Sequence, residues 1–455
     1  MVSGGKSQVR ELVNIKYHTQ FLYCGVEKNH PATLRAWTMY DWANSVYSLS
    51  ITSAMFPVFY GLYTKDTLEF FGSEYKNTAL FAFFLSAAFL INALFVPFLS
   101  GLADARGNKK RYMRFFMILG SVSCSSLFFF DGQNYLFGLT AFMFATLGFA
   151  GSLVFYNAYL PEIATPDRFD TLSARGFTMG YIGSVILLIV NILFLQKSHW
   201  FGMQPPSATE TLPFRIGFLT VGIWWFLWSL WPLYKLPGNT TPKPGVSVWK
   251  GYEELRGVFK NLMTMKPAKV FLASFFVYTM GVQTVLYVAT LFGQNELKLE
   301  SSDMIKTILL IQVIGVGGAY FFAWLANKKG NKVSIILALS IWTIGCYLAY
   351  FIEEKQPNQF FGLACLVGTV MGGIQSISRA TYAKLIPGDT DNASYFSFYE
   401  VTEKVAIVLG TFAWGFVDQI TGSMRNGIVV LMVFFIVGMV IMLFLKSDKL
   451  KPTRP

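Results

Sequence analysis

Leu102-Ala-Asp-Ala-Arg-Gly-Asn-Lys109 returns 223 residues later as Leu325-Ala-Asn-Lys-Lys-Gly-Asn-Lys332, with five of eight positions identical. Each copy follows a long apolar stretch, and each is basic with a glycine, Gly107 or Gly330, where the chain must reverse tightly. A second pair of landmarks, Tyr159-Leu-Pro161 and Leu385-Ile-Pro387, keeps a nearly equal offset of 226. A unit has been duplicated, and the fold of the first half is repeated in the second.

The apolar stretches around these landmarks define that unit. The 455 residues are 54% hydrophobic, 17% aromatic and only 14% charged, with a mean hydropathy of +0.46, a balance that aggregates in water and belongs in a bilayer. Stretches of about 20 apolar residues suffice to cross a hydrocarbon core about 30 Å thick. They lie at 35–62, 77–103, 112–130, 135–160, 174–196, 213–235, 268–292, 303–326, 333–352, 359–383, 394–418 and 426–445. The expected fold class is therefore all-α integral membrane, with twelve transmembrane helices in two pseudo-symmetric six-helix bundles. The expected divisions are an N-terminal tail (1–34), a first bundle (35–235), a linker (236–267), a second bundle (268–445) and a C-terminal tail (446–455). In the linker Val248, Tyr252, Leu255, Phe259 and Leu262 recur at helical spacing opposite Lys250, Glu253, Glu254, Arg256 and Lys260, which predicts an amphipathic helix on the membrane surface.

Arginine and lysine set the orientation, because insertion leaves them in short cytoplasmic loops. With both termini inside, the inner segments hold 27 and the outer loops 8, while Arg379 and Lys404 remain inside spans. Both termini are thus expected to be cytoplasmic. The net charge of +12 is spread over the inner membrane face and forms no single basic stripe, so nucleic acid is not an expected partner. No G-x-x-x-x-G-K-[ST] phosphate loop occurs, and His18, His30 and His199 lie outside the spans, which leaves no histidine metal site or relay within the membrane. No enzyme activity, cofactor or metal is expected. Cys124, Cys346 and Cys365 read as small buried hydrophobes, and Asn239-Thr-Thr and Asn392-Ala-Ser, which match the glycosylation pattern, fall in inner loops.

A few charges nonetheless lie inside spans, where they are costly and tend to mark function. Asp41 stands in Met39-Tyr-Asp-Trp-Ala-Asn-Ser-Val-Tyr-Ser48; at 100° per residue Asp41, Asn44, Ser45, Ser48 and Thr52 share one face of the first span, while Trp42, Tyr47 and Pro57 point elsewhere. The seventh span, its repeat partner, carries Thr279, Gln283, Tyr287 and Thr290 on one face. The tenth carries Gln375, Arg379 and Tyr382, and the eleventh Ser397, Glu400, Glu403, Lys404 and Thr411, with Glu400 and Lys404 in the favourable i, i+4 order. Either these groups form a structural ion network, or they bind a zwitterionic solute or exchange a proton. With histidine excluded, Asp41, Glu400 and Glu403 are the acids available for coupling. Gly176-x-x-x-Gly180-x-x-Gly183 and Gly368-x-x-x-Gly372-Gly373 favour close helix approach.

Ser100-Gly-Leu-Ala-Asp-Ala-Arg-Gly-Asn-Lys109 resembles the G-x-L-A-D-R-x-G-R-K loop of the major facilitator superfamily. Tyr40-Asp-Trp-Ala-Asn-Ser45, Phe155-Tyr-Asn-Ala-Tyr-Leu-Pro-Glu162, Gly180-Tyr-Ile-Gly-Ser184 and Ser394-Tyr-Phe-Ser-Phe-Tyr-Glu-Val-Thr-Glu-Lys404 resemble the branch of autophagy-linked vacuolar amino-acid effluxers and their bacterial relatives. The repeat implies two bundles rocking about a central site near mid-membrane; the resemblance implies the same twelve-helix fold, adds Asn157 to the site candidates and makes amino acids a candidate solute, while the acids inside the spans make protons a candidate coupling ion. The compact loops point to a bacterial inner membrane rather than a vacuole. The loop signature marks either a cytoplasmic gate or a basic loop that only holds the chain on the inner side. Asp104 is placed to meet the amide-rich start of the eleventh helix near Ser394, Gly107 to make the turn, and Arg106, Lys109 and Lys110 to pair with acids such as Glu162. Asn327 replaces the aspartate in the second copy, so its contact should be weaker. The expected function is secondary active transport of a small polar solute by a monomer in the lipid bilayer. The alternatives are export of amphipathic compounds or drugs, and a non-transporting membrane sensor or scaffold.

Overall fold

A computed structural model describes residues 22–23, 26–207, 209–238, 247–388, 391–446 and 450. Its first long helix, α1, runs as Pro31–Val46, a π-helical stretch Tyr47–Met55, and Phe56–Tyr63. There follow α2 (Asn77–Arg106), α3 (Lys109–Ser126), α4 (Tyr135–Ala158), α5 (Phe169–Gln196) and α6 (Leu212–Lys235). After the linker helix Val248–Thr264 come α7 (Lys266–Leu291), α8 (Ser301–Lys329), α9 (Asn331–Tyr350), α10 (Pro357–Leu385), α11 (Asn392–Thr421) and α12 (Met424–Leu443). Ten of these are long and apolar enough to cross a membrane; α1, interrupted by its π segment, and α11, with four charges on it, complete the twelve.

Packing follows the duplication. Within the first half α1 lies against α5 and α6, α3 against α4 and α6, and α2 against α4; within the second, α7 lies against α11 and α12, α8 against α10, and α9 against α10 and α12. The halves meet through α5 with α8 and α10, and through α11 with α2 and α4. These are the same two contacts with the halves exchanged, since α5 corresponds to α11, α2 to α8 and α4 to α10. Lipid gives helices no hydrophobic reason to associate, so close approach rests on small residues. A Cβ at Gly372 would overlap the Gly315 carbonyl, and one at Gly180 the Ser45 hydroxyl, so the glycines of α10 admit α8 and those of α5 admit α1.

Most helices begin one to three residues before their apolar stretches, and α1 and α5 begin four and five residues before theirs. α1 starts at Pro31, within the expected tail, because Asn29 anchors the chain: its amide N–H reaches Ile163 O at 2.7 Å and its side chain bonds Thr165. α5 starts at Phe169 because Asp170 is neutralised by Lys384, so the polar first turn is buried. The α1–α2 loop carries a hairpin that hydropathy does not show, β1 (Thr67–Phe70) with β2 (Ser73–Lys76), closed by Phe71 and Gly72, both at positive φ. The linker helix docks on α2 instead of lying free on a surface. Gly251, Val258 and Leu262 are buried, and Gly101 and Gly251 meet so closely that a Cβ on either would clash. Tyr252 and Phe259 are exposed, so the expected single apolar face is two: one against α2, one outward. Residues 1–21, Asn239 and most of the C-terminal tail lie outside the described residues.

Candidate transport site

A cavity of about 760 Å³ lies between the halves, lined by α1, α2, α4 and α5 from one side and α7 to α12 from the other. Its upper wall is mostly apolar and aromatic, with Phe81, Phe149, Trp342 and Trp414 among the lining residues. The charges gather toward the end nearer the duplicated loops.

Asp41 comes from the first turns of α1 and Arg379 from α10; the helices reach each other because Gly176 of α5 leaves space beside both. Arg379 Nη1 and Nη2 each donate to Asp41 Oδ2 at 3.2 Å, and Tyr156 donates its hydroxyl to the same oxygen at 2.7 Å. The guanidinium also bonds the Ser173 hydroxyl and carbonyl and stacks over Trp37, Tyr156 and Phe177, with ring centroids 4.3 to 5.5 Å away. An ion pair this buried needs such partners to offset desolvation.

A second group lies on α11. Lys404 Nζ stands 3.3 Å from both Glu400 Oε2 and Glu403 Oε1, Gln283 of α7 donates to Glu403 at 2.9 Å, and Asn157 of α4 donates to Glu400 at 2.8 Å. Arg379 Nη1 also donates to Asn157 Oδ1 at 3.3 Å, so the Asn157 amide joins the two charge groups. Gln375 accepts from Tyr181 at 3.0 Å, and Tyr287 lines the cavity near Lys404. Asn44 and Ser48 line it too; Asn44 Nδ2 is buried with no protein acceptor.

The structure departs from even helical spacing in α1. Tyr47 and Pro57, which the 100° rule turns away, line the cavity as well. Ser48 and Thr52 line it as the spacing predicts, so the π-helical stretch Tyr47–Met55 widens the face that α1 turns to the cavity and does not abolish the pattern. Tyr382, Ser397 and Thr411 do not line it: Tyr382 donates to Tyr395 O, Ser397 to Ser394 O and Thr411 to Ile407 O, ordinary satisfaction of buried hydroxyls.

Below the cavity the two loop copies make related contacts. Asp104 accepts from Ser394 N at 2.7 Å, Ser394 Oγ at 2.9 Å and Ala393 N at 3.4 Å, at the start of α11. Asn327 makes one bond, to Thr171 Oγ1 at 3.3 Å, at the start of α5. Asp104 and Asn327 are 223 apart, as are Thr171 and Ser394, so this is one contact repeated. Gly107 ends α2 at φ 65°. Lys109 pairs with Glu162, which also accepts from Asn392 at 3.1 Å, whereas Lys110 turns to the carbonyls of Tyr234 and Leu236. Arg106 closes the last turn of α2. The weaker copy is reinforced by a buried group that the sequence reading missed: Lys384 reaches Asp170 at 2.5 Å and Asn331 at 2.8 Å, and Asn331 donates to Asp170 at 2.6 Å. Lys384 was legible only as a loop cation, since its partners come from two other helices. Beside the first copy, burial, a hydrogen bond that the protonated Glu254 donates to Asp391, and the charges of Asp391 and Asp104 push Glu254 of the linker helix up to about 7, with Lys250 opposing. Among the described residues, no group of three or more His, Cys, Asp or Glu side chains is placed to hold a metal.

Comparison with known proteins supplies the wider context. The family described as "Vacuole effluxer Atg22 like" matches residues 29–169 and 166–454. The uncharacterized MFS-type transporter YxiO of Bacillus subtilis (strain 168) is 30% identical over 417 residues, 91% of this chain and 94% of that one. Autophagy-related protein 22-1 of Penicillium rubens is 25% identical, over 84% of this chain and 77% of its own. Among solved structures, the major facilitator superfamily transporter FucP in its outward conformation superposes with a TM-score of 0.66 at 13% identity, over 92% of this chain and 99% of FucP.

Proposed function

Because the chain belongs to the Atg22-like vacuole effluxer family of the major facilitator superfamily, an integral multi-pass membrane transporter and not an enzyme, we propose that it moves a small polar solute carrying both an acidic and a basic group, with amino acids the class that fits, by alternating access coupled to protons. The observation that carries the reading is the pair of charge groups around Asn157 at the narrow end of the cavity. Arg379 is the anchor for a carboxylate, and Asp41, Glu400 and Glu403 for an ammonium; Asn44 Nδ2 supplies a spare donor. Alternating access fits because most ties across the halves lie at or below this level, namely Asp41 to Arg379, Asn157 to Glu400, Ser173 to Arg379, Asp104 to Ser394, and Asp170 to Lys384 and Asn331, while Tyr181 to Gln375 lies about one turn above it. Opening the other side requires these ties to part. With the arginine and lysine bias placing the duplicated loops in the cytoplasm, this conformation opens outward and the loops close the inner gate. A bacterial inner membrane and a monomer suit the compact loops.

A thermal-shift panel of single amino acids against lipophilic cations, followed by counterflow of the stabilising compound in proteoliposomes, tests the proposal. Stabilisation by an amino acid and saturable counterflow support it. The aromatic upper wall favours a second reading, export of an amphipathic compound, and stabilisation by lipophilic cations alone selects that reading. Saturable binding without flux assigns the chain to sensing instead.

A further inference from the structure

The proposed proton coupling leaves open which of three buried acids carries the proton, and the charge arrangement around them separates Asp41 from the other two. Asp41 and Arg379 are matched one to one, with Tyr156 completing the carboxylate's bonds. On α11, two carboxylates share one lysine: Lys404 is 3.3 Å from Glu400 and from Glu403. All three are largely buried, Glu400 most deeply at 2% exposure. The groups facing them from neighbouring helices add no second cation that is not already committed. α4 presents the Asn157 amide, α7 presents Gln283, Tyr278 and Tyr287, α10 presents Arg379, already bound to Asp41, and α11 itself adds Tyr399. The cluster therefore carries one negative charge in excess when all its groups are ionised.

An uncompensated buried charge is costly, and the cost grows when a cavity closes and water leaves. We infer that the Glu400–Lys404–Glu403 cluster, and not Asp41, takes up and releases the coupling proton, and that Asn157 is the positioning residue that conveys its state to Arg379. This rests on the proposed transport reading and assigns the proton within it. With one proton bound, the cluster holds one ammonium, one carboxylate and one neutral carboxyl, and it can be sealed from water without net charge. The hydrogen-bond geometry then has a consequence. Glu400 Oε1 accepts an N–H of Asn157 and Oε2 faces the Lys404 ammonium, so a proton on either oxygen meets a donor and one of the two contacts must open. If the Asn157 amide turns to accept the new O–H, its NH₂ faces the Arg379 N–H that its oxygen now accepts. Protonation of Glu400 thus loosens a tie between the halves. Glu403, the more exposed of the two, is the entry point from the cavity.

Infrared difference spectroscopy of the purified protein in lipid nanodiscs, acid minus neutral, tests this without any solute. Wild type and Asp41→Asn are expected to show the same protonated-carboxyl signal from the cluster. Glu400→Gln and Glu403→Gln each leave one acid for one lysine and should each lose one carboxyl equivalent relative to wild type. Lys404→Gln should move the midpoint of that signal to higher pH. Asn157→Ala should leave the signal in place but abolish the acid-induced parting of the halves, read as the distance between spin labels at the exposed Arg111 and Lys329. Undiminished signal in both Gln variants, or its loss in Asp41→Asn, overturns the assignment; should Glu400→Gln not fold, Glu403→Gln makes the same prediction. No solute enters the measurement, so failure of the transport reading in counterflow and failure of this assignment are separate results.

Discussion

Replacing Asp104 by Asn tests the gate with a near-isosteric change. The carboxylate takes two N–H donors and one hydroxyl from the first turn of α11, at 2.7, 2.9 and 3.4 Å. Hydrogen bonds to a charged group contribute about 1.5–3 kcal/mol, against about 0.5–1.5 kcal/mol for neutral ones, and a carboxylate at a helix start adds about 0.3–1 kcal/mol. Asparagine keeps one acceptor oxygen and loses the charge, so the closed gate should lose about 2 kcal/mol; at about 1.4 kcal/mol per tenfold, the open population rises about 30-fold. Ser394→Ala removes only the hydroxyl donor and should cost about 1 kcal/mol, or about fivefold. Spin labels at Arg111 and Lys329, exposed on opposite halves at the loop end, report the opening by pulsed dipolar spectroscopy with no solute present. If Asp104→Asn gives the wild-type distance distribution, the contact at Ser394 is not a gate and the reasoning fails.

Four further outcomes follow from the same structure. Gly176→Ala puts a Cβ against Asp41 Oδ2 and 2.8 Å from Arg379 Nη2, and should destabilise the protein by about 1–3 kcal/mol, seen as a lowered melting temperature. Lys384→Met leaves Asp170 buried without its cation and should cost about 3–5 kcal/mol, while Lys384→Met with Asp170→Asn should recover part of that loss. Gly101→Ala should lift the linker helix from α2, raising hydrogen exchange over Val248–Thr264 but not over α9. Glu254 stands at about 7 in the folded chain against an ordinary 4.5, so docking of the linker helix takes up a proton. The docked state should be favoured below about 4.5 and weaken as pH rises toward 7, and Glu254→Gln should remove that dependence of linker exchange.

The amino-acid order by itself determined the architecture. Apolar stretches of membrane-crossing length, the LADARGNK repeat and the single basic linker require only local information, because in a bilayer each backbone segment must satisfy its own hydrogen bonds and each span is therefore a helix. The gate contact was legible for the same reason: a carboxylate at a loop and an amide-rich helix start attract each other whatever lies between, and Asp104 meets Ser394. Helical spacing also gathered the charges of α11, since Glu400 and Lys404 are neighbours on one helix.

Pairings across helices were decided only by the tertiary structure. Asp41 and Arg379 are 338 residues apart and meet because Gly176 makes room between them. Trp37, Tyr156 and Phe177 come from α1, α4 and α5, and only the fold brings them together as the walls of the arginine site. Asp170, Asn331 and Lys384 come from three helices and form a buried group that no spacing rule connects. Periodicity says which face a side chain takes, and in α1 the π-helical stretch broadens that face to include Tyr47; which faces are brought together depends on how closely the helices can approach, and small residues set that distance.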